Sequence, residues 1–182
     1  MWLEGNGNSY EPGGSVPADV TELTVQWTAP TYAVTLNTNG GTIADGKDVT
    51  GYTYGVGATL PTDVTRTGYT FKGWYDNENL TGSPVTAIGG TEMGNKEYWA
   101  KWEINQYTIT FDTNGGSEIA PITQDYGTEI TAPDNPTRKG YTFKGWDKEI
   151  PETMPAENIT VKAQWEINQY TITFDTNGGS EI

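Results

Sequence analysis

Residues 103–119 read EINQYTITFDTNGGSEI, and residues 166–182 carry the same letters in the same order. Within this stretch Tyr107, Ile109 and Phe111 alternate with Thr108 and Thr110, the two-residue period of a half-buried strand. Asp112-Thr113-Asn114-Gly115-Gly116 follows, and Asn-Gly is the strongest short hairpin signal because both residues tolerate positive φ. Fold constraints alone admit Ile for Val or Ser for Thr at most of these positions. Letter-for-letter identity therefore marks a duplicated unit, and the second copy running to Ile182 reads as a window on a longer array.

Working outward, the same pattern sets the period of the chain. YAVTLNTNGG at 32–41 matches YTITFDTNGG at 107–116 and 170–179, and GYTFKGW occurs at 68–74 and 140–146. Each unit closes on a strand ending in Trp: LTVQW at 23–27, YWAKW at 98–102 and VKAQW at 161–165. The layout is a back half at 1–31, complete repeats at 32–106 and 107–169, and a front strand at 170–182. In this alignment Trp2 takes the place of Trp74 and Trp146.

A complete repeat carries four strand signals. They are YTITF, a second strand running toward Tyr126-Gly127, GYTFKGW, and ITVKAQW with Val161, Ala163 and Trp165 on its inner face. Residues 128–140 hold two prolines and read as irregular, with at most a short helical turn. In GYTFKGW, strict alternation from Tyr141 and Phe143 sends Trp146 to the opposite face, yet this Trp recurs as a core residue does. A bulge or tight twist at Gly145, and at Gly73 in the first repeat, returns the ring to the core. Val64 stands where the second repeat has Pro136, which predicts a looser segment ahead of Gly68. The joints at 28–31, 103–106 and 166–169 leave little room for rotation, which predicts units strung end to end with modest contacts.

Composition agrees with a mostly β chain. Twenty-three Gly and ten Pro supply turns, while Thr, Tyr, Trp, Ile and Val suit a pleated surface. Seven Trp, eleven Tyr and four Phe supply a core that disordered chains lack. The net charge of −14 reads as a solvated, self-repelling surface, and no basic stripe exists to displace nucleic-acid counterions. Absence of Cys removes disulfides and thiol chemistry, and absence of His removes the usual triads and imidazole metal sites. No apolar run approaches the length of a membrane span.

Few residues suggest chemistry. Asp76, Glu78, Asp134, Asp147, Glu149 and Glu152 read as solvated turn residues rather than a glycosidase pair. No serine sits in G-x-S-x-G. Asp112-Thr113-Asn114-Gly115 looks like the front of a calcium loop but lacks the third oxygen ligand and the far glutamate. No metal, cofactor or catalytic residue is expected, and the chain is not read as an enzyme. Asn79-Leu80-Thr81 and Asn158-Ile159-Thr160 are glycosylation sequons. Lys72 and Lys144 lie mid-strand and read as solvent-facing rather than isopeptide-forming. Trp99 and Tyr75 differ from the other aromatics because nothing matches them: Trp99 aligns with Lys162 and Thr24, Tyr75 with Asp147 and Leu3. Either they pack beneath the first repeat's longer loops or they form an exposed patch for a ligand.

The tandem of Y-x-[IV]-T-[FL]-[DN]-T-N-G-G, Y-G, P-T-R-x-G-Y-T-F-K-G-W (with Val64 in place of the Pro in the first repeat) and a closing A-[KQ]-W resembles the Listeria–Bacteroides repeat family, best known as the B repeat of internalin-type surface proteins. The resemblance covers nearly the whole chain. It implies small β-grasp-like units of four strands with little helix, carried on exported proteins of the bacterial cell surface, and supplies no catalytic residues. The expected role is a structural spacer or stalk whose partners are neighbouring repeats. The alternative is an adhesin module that binds a glycan or host protein through Trp99 and Tyr75. In residues 170–182, Tyr170, Ile172 and Phe174 share one face without a hairpin partner, and a lone strand cannot offset its ordering entropy. Order there is expected to need a head-to-tail contact with residues 2–27 of another molecule, which does not close and propagates as a filament; the alternative is that the chain is one window on a continuous longer fibre.

Overall fold

The computed structural model describes residues 2–3, 8–25 and 27–179. Gln26 of the LTVQW motif and the end of the 170–182 segment lie outside the described residues. Every regular element among those described is a strand. By contacts the chain divides into two compact units, Met1–Thr65 with Phe71–Lys101, and Arg66–Thr70 with Trp102–Ile182.

The first unit starts with β1 (Trp2–Leu3), β2 (Ser9–Tyr10) and β3 (Thr24–Val25), a small sheet ordered β2-β1-β3. Its main elements are β4 (Thr31–Asn37), β5 (Thr42–Ile43), β6 (Gly51–Thr53), β7 (Ala58–Thr59), β8 (Val64–Thr65), β10 (Ala87–Ile88) and the greater parts of β9 (Tyr69–Tyr75) and β11 (Lys96–Ile104). The principal sheet runs β6-β4-β11-β9. The second unit has β12 (Gln106–Asp112), β13 (Ile122–Asp125), β14 (Tyr141–Trp146) and β15 (Ile159–Ile167), in the order β13-β12-β15-β14. The four strands of a repeat are those expected. Their order, second-first-fourth-third, places the first and last strands side by side and parallel: Ile109↔Ile159 to Asp112↔Lys162 in the second unit, Val34↔Lys96 to Asn37↔Trp99 in the first. β13 and β14 flank this pair antiparallel. Trp2 lies opposite Val25 just as Trp146 lies opposite Ala163, the register that the alignment of Trp2 on Trp146 requires.

In β12 the alternation is obeyed, with Ile109 and Phe111 buried, Thr110 and Asp112 exposed and Thr108 intermediate. They join Val161, Ile130 and Met154, with Tyr107, Ile122, Trp146 and Ile159 packed around them. No helix among the described residues covers this face. Instead the loop after β13 pairs with the loop before β15, through Ile130 N–H to Glu152 O at 2.8 Å and Met154 N–H to Thr128 O at 2.9 Å. That ribbon lowers Ile130 and Met154 onto the core. In the first unit β7 and β10 form a like ribbon, beside which Leu60 and Ile88 are buried.

The glycine bend is present. Between β14 and β15 the register shifts at Phe143/Gly145, with Gly145 at φ 113° and Gly73 at φ 117°. Trp74 is 2 % exposed, and Trp146 packs on the second unit's core.

Two expectations need correction. Asn114 (φ 49°) and Gly115 (φ 87°) do make a tight turn, but it does not close a two-residue hairpin. β12 pairs with β13 only through residues 106–109, and the chain between makes a wide excursion. The turn serves instead as a docking point for the last strand. The segment around Val64 is also not loosened by the loss of Pro136. Val64 is buried and pairs with Ile43 in the β5–β8 ladder, and Ala44 N–H donates to Asp63 O at 2.9 Å. Removing a proline ring permits strand pairing there.

Residues 170–179 form no strand, and Tyr170, Ile172 and Phe174 are 77 %, 76 % and 69 % exposed.

Candidate functional site

The unmatched aromatics fall on β9 and β11. Tyr75 is 6 % exposed, and the Lys101 ammonium lies 5.0 Å from its ring centroid. The same ammonium donates to Leu80 O at 3.3 Å. Tyr75 therefore presents almost no ring face to solvent. Trp99 is half-buried between buried Tyr98 and Ala100. It lines an open groove of about 390 Å³ with Asp76, Glu92, Lys96 and Glu97. Glu92 and Lys96 are ion-paired across one loop, which holds the Glu92 carboxyl below its usual range and raises Lys96. Burial pushes the Tyr98 hydroxyl up, and the Glu92 carboxylate adds to that shift. The structure thus brings one half-buried tryptophan, two signs of charge and the Asn95 amide together in a shallow, polar depression.

The other charged residues are held in ordinary strand and turn roles. Lys144 reaches across to Glu166 at 3.1 Å with both side chains more than half exposed. Asp147 accepts the Lys162 N–H at 2.6 Å, and Asp112 accepts the Asn114 N–H at 2.9 Å. No group of three metal-capable side chains gathers among the described residues.

Sequence reading missed a set of asparagines that stitch the repeat together. Asn158 Oδ1 accepts the Thr108 N–H at 2.8 Å, and Asn95 Oδ1 accepts the Ala33 N–H at 3.0 Å. Asn114 Nδ2 donates to Ala163 O at 3.3 Å, and Asn39 Nδ2 to Ala100 O at 2.8 Å. Trp165 Nε1 donates to Thr113 O at 2.9 Å. Every one of these bonds joins the first strand of a repeat, or its turn, to the last strand or to the residue just before it. A third pair holds the ends of the last strands. Asn105 N–H donates to Gly68 O at 2.9 Å and its side chain accepts from Thr70 Oγ1 at 2.6 Å. Asn168 does the same with Gly140 at 2.9 Å and Thr142 at 2.6 Å. The available signal was recurrence: Asn95 and Asn158, like Asn105 and Asn168, are 63 residues apart, as Trp102 and Trp165 are. Asn158, the sequon asparagine, is thus a stitch.

Comparison with known proteins agrees with the repeat geometry. The sequence profile of the Listeria-Bacteroides repeat domain matches residues 32–101 and 107–164. The chain is 35 % identical over 189 residues to a putative Gly-rich membrane protein of Evansella cellulosilytica, covering 98 % of this chain and 21 % of that protein. It is 37 % identical over 168 residues to a putative membrane protein of the same organism, covering 88 % and 25 %. It is also 37 % identical over 137 residues to internalin H of Listeria monocytogenes, covering 68 % and 24 %. The chain thus spans a quarter or less of the length of each relative. No helix among the described residues is long and apolar enough to cross a membrane.

Proposed function

The chain belongs to the Listeria–Bacteroides repeat family, and on that premise we propose that its repeats are a structural spacer within a longer bacterial surface protein, displayed outside the cell. One observation carries this reading. The same side-chain stitches recur at matched positions of both complete repeats, joining first strand to last. A module that is repeated for length needs such closure in every copy, whereas a binding module needs a distinctive surface in one. Several rings support the same view: Tyr52, Trp74, Tyr75, Tyr98 and Phe111 are buried, and Tyr107 and Trp146 pack on the second unit's core. The reading assigns no reaction and no cofactor to this chain.

A second reading rests on Trp99 alone. A half-buried indole beside Asp76, Glu92 and Glu97 is chemistry suited to a sugar, which stacks on a ring and donates hydroxyls to carboxylates. The two are separated by two measurements on this chain. For a spacer, small-angle scattering gives a radius of gyration well above the roughly 16 Å of a compact globule of this length, and a glycan panel leaves tryptophan fluorescence unchanged. A compact radius refutes the spacer. Saturable glycan quenching that disappears in Trp99→Ala establishes the adhesin module instead.

A further inference from the structure

We propose that each repeat is a tension-bearing clamp, in which the parallel ladder between its first and last strands carries axial load in shear. The inference rests on the spacer reading, because only a spacer under tension uses such a device.

In the second unit the repeat begins on β12 at Gln106 and ends on β15 at Ile167. The two strands are neighbours and parallel, so the repeat's two termini lie at opposite ends of one ladder. Tension between them slides one strand along the other, and the bonds that join them must yield together. An antiparallel pair would put both termini at the same end, where bonds peel one at a time. The first unit has the same arrangement in β4 and β11.

The asparagine stitches extend this ladder beyond its backbone pairs. Before the first pair, Ile109↔Ile159, stands the Thr108 N–H to Asn158 bond. At the far pair, Asp112↔Lys162, the carboxylate and ammonium approach to 3.5 Å. Beyond it come Asn114 to Ala163 O and Trp165 to Thr113 O. In the first unit Asn95 and Asn39 occupy the same two places, and Asn37 Nδ2 adds a bond to Glu97 at 2.8 Å. Asn39, Asn95, Asn114 and Asn158 are all exposed, so the core does not need them. Their place at both ends of the first-to-last ladder, in both repeats, is what resistance to sliding requires. Ile109 and Val161, each 0 % exposed, screen one face of the ladder from water that would replace its bonds.

Forced unfolding reads the unfolding barrier along the pulling direction. The chain has no Cys, so cysteine pairs added to the full chain define where optical-tweezer handles attach. Gln106→Cys with Gln169→Cys loads the second repeat in shear. Gln106→Cys with Glu157→Cys loads both strands at the same end and peels them. Shear is expected to need a several-fold higher force at equal loading rate. Asn114→Gly keeps the turn's left-handed conformation and removes only the amide. It should raise the unfolding rate in shear about fivefold, the rate equivalent of one net hydrogen bond, and leave peeling force unchanged, since its stitch lies at the far end. Equal forces in the two directions, or a stitch variant that weakens both alike, overturn the clamp. An extended scattering radius without shear resistance refutes the clamp alone. High shear resistance with a compact radius refutes the spacer alone.

Discussion

Phe143 and Trp146 pack ring against ring, with centroids 5.4 Å apart at 71°, although an odd number of steps along one strand separates them. Gly145 makes this possible. Phe143 pairs with Trp165 and Gly145 with Gln164, so Lys144 is the extra residue of a bulge and Trp146 returns to the core side. Phe71 and Trp74 repeat the contact at 5.5 Å and 68°.

The two bulge glycines should differ in their tolerance of a side chain. The space beside Gly145 is open, so Gly145→Ala is expected to cost only its φ strain, about 1–2 kcal/mol. At Gly73 an added Cβ would lie 2.6 Å from Pro84 Cβ. Gly73→Ala should cost a further 1–3 kcal/mol or so from overpacking. Urea midpoints of the two variants decide this, and equal losses would contradict the assigned contact.

Gly68 and Gly140 hold the same place in GYTFKGW and similar positive φ, but only Gly68 is covered. A Cβ there would fall 2.0 Å from the Tyr126 ring, whereas Gly140 meets nothing within 4 Å. Gly68→Ala should therefore lower the melting temperature clearly more than Gly140→Ala, which pays for left-handed backbone alone, about 1 kcal/mol.

Leu80 is held at φ 55°, a conformation in which a leucine is strained. Asn77 fixes that loop, its amide bonding Thr81 N at 3.2 Å, Oγ1 at 3.1 Å and O at 3.0 Å. Leu80→Asn should be neutral or stabilising by up to about 1 kcal/mol, since Asn tolerates the left-handed region. Asn77→Ala should destabilise by roughly 1–2 kcal/mol through the lost loop bonds. Thermal unfolding of both variants checks the pair of signs.

Stability should be flat near neutral pH and fall at the alkaline end. Tyr98 and Lys96 both have folded values raised above the ordinary ones. Their contribution is complete below about pH 10 and is lost as pH rises through the folded values. Glu92 is shifted the other way, so its small contribution is lost only below about pH 4. Urea midpoints from pH 7 to 11 should decline more shallowly for Tyr98→Phe than for the parent chain. An identical alkaline decline would remove Tyr98 from the account.

Phe111 and Phe174 occupy the same position in identical sequence but opposite environments, 6 % and 69 % exposed. Phe111→Ala should cost about 3–5 kcal/mol, as for a buried ring. Phe174→Ala should leave the unfolding midpoint of this chain unchanged within error.

The four strands of each repeat, the inner faces of β12 and β15 and the glycine bend were legible because each follows from local alternation or from a recurring glycine. The parallel pairing of first and last strands was not. Nothing in YTITF or ITVKAQW distinguishes a parallel neighbour from an antiparallel one, and the choice depends on a crossover through residues 113–158. Met154 was also illegible. It is a single apolar residue between prolines, and only the ribbon from Thr128 to Met154 shows that it reaches the core. The partners of the asparagine stitches were not legible either, because they lie 49 to 62 residues away in sequence.

The duplicated stretch separates what sequence determines from what tertiary structure decides. Its turn is the same in both copies. Asn114 and Gly115 sit at φ 49° and 87°, Asn177 and Gly178 at 46° and 88°. Thr113 Oγ1 reaches Gly116 O at 3.1 Å and Thr176 Oγ1 reaches Gly179 O at 3.1 Å. Its strand is not. Residues 106–112 form β12, while the identical letters from Gln169 to Asp175 form none. The turn closes on bonds within a few residues, so the local sequence suffices to form it. A strand's backbone groups find their partners only on another segment, and its apolar face must bury enough area to offset the entropy of ordering. β13 and β15 supply both to the first copy, and no described segment supplies them to the second.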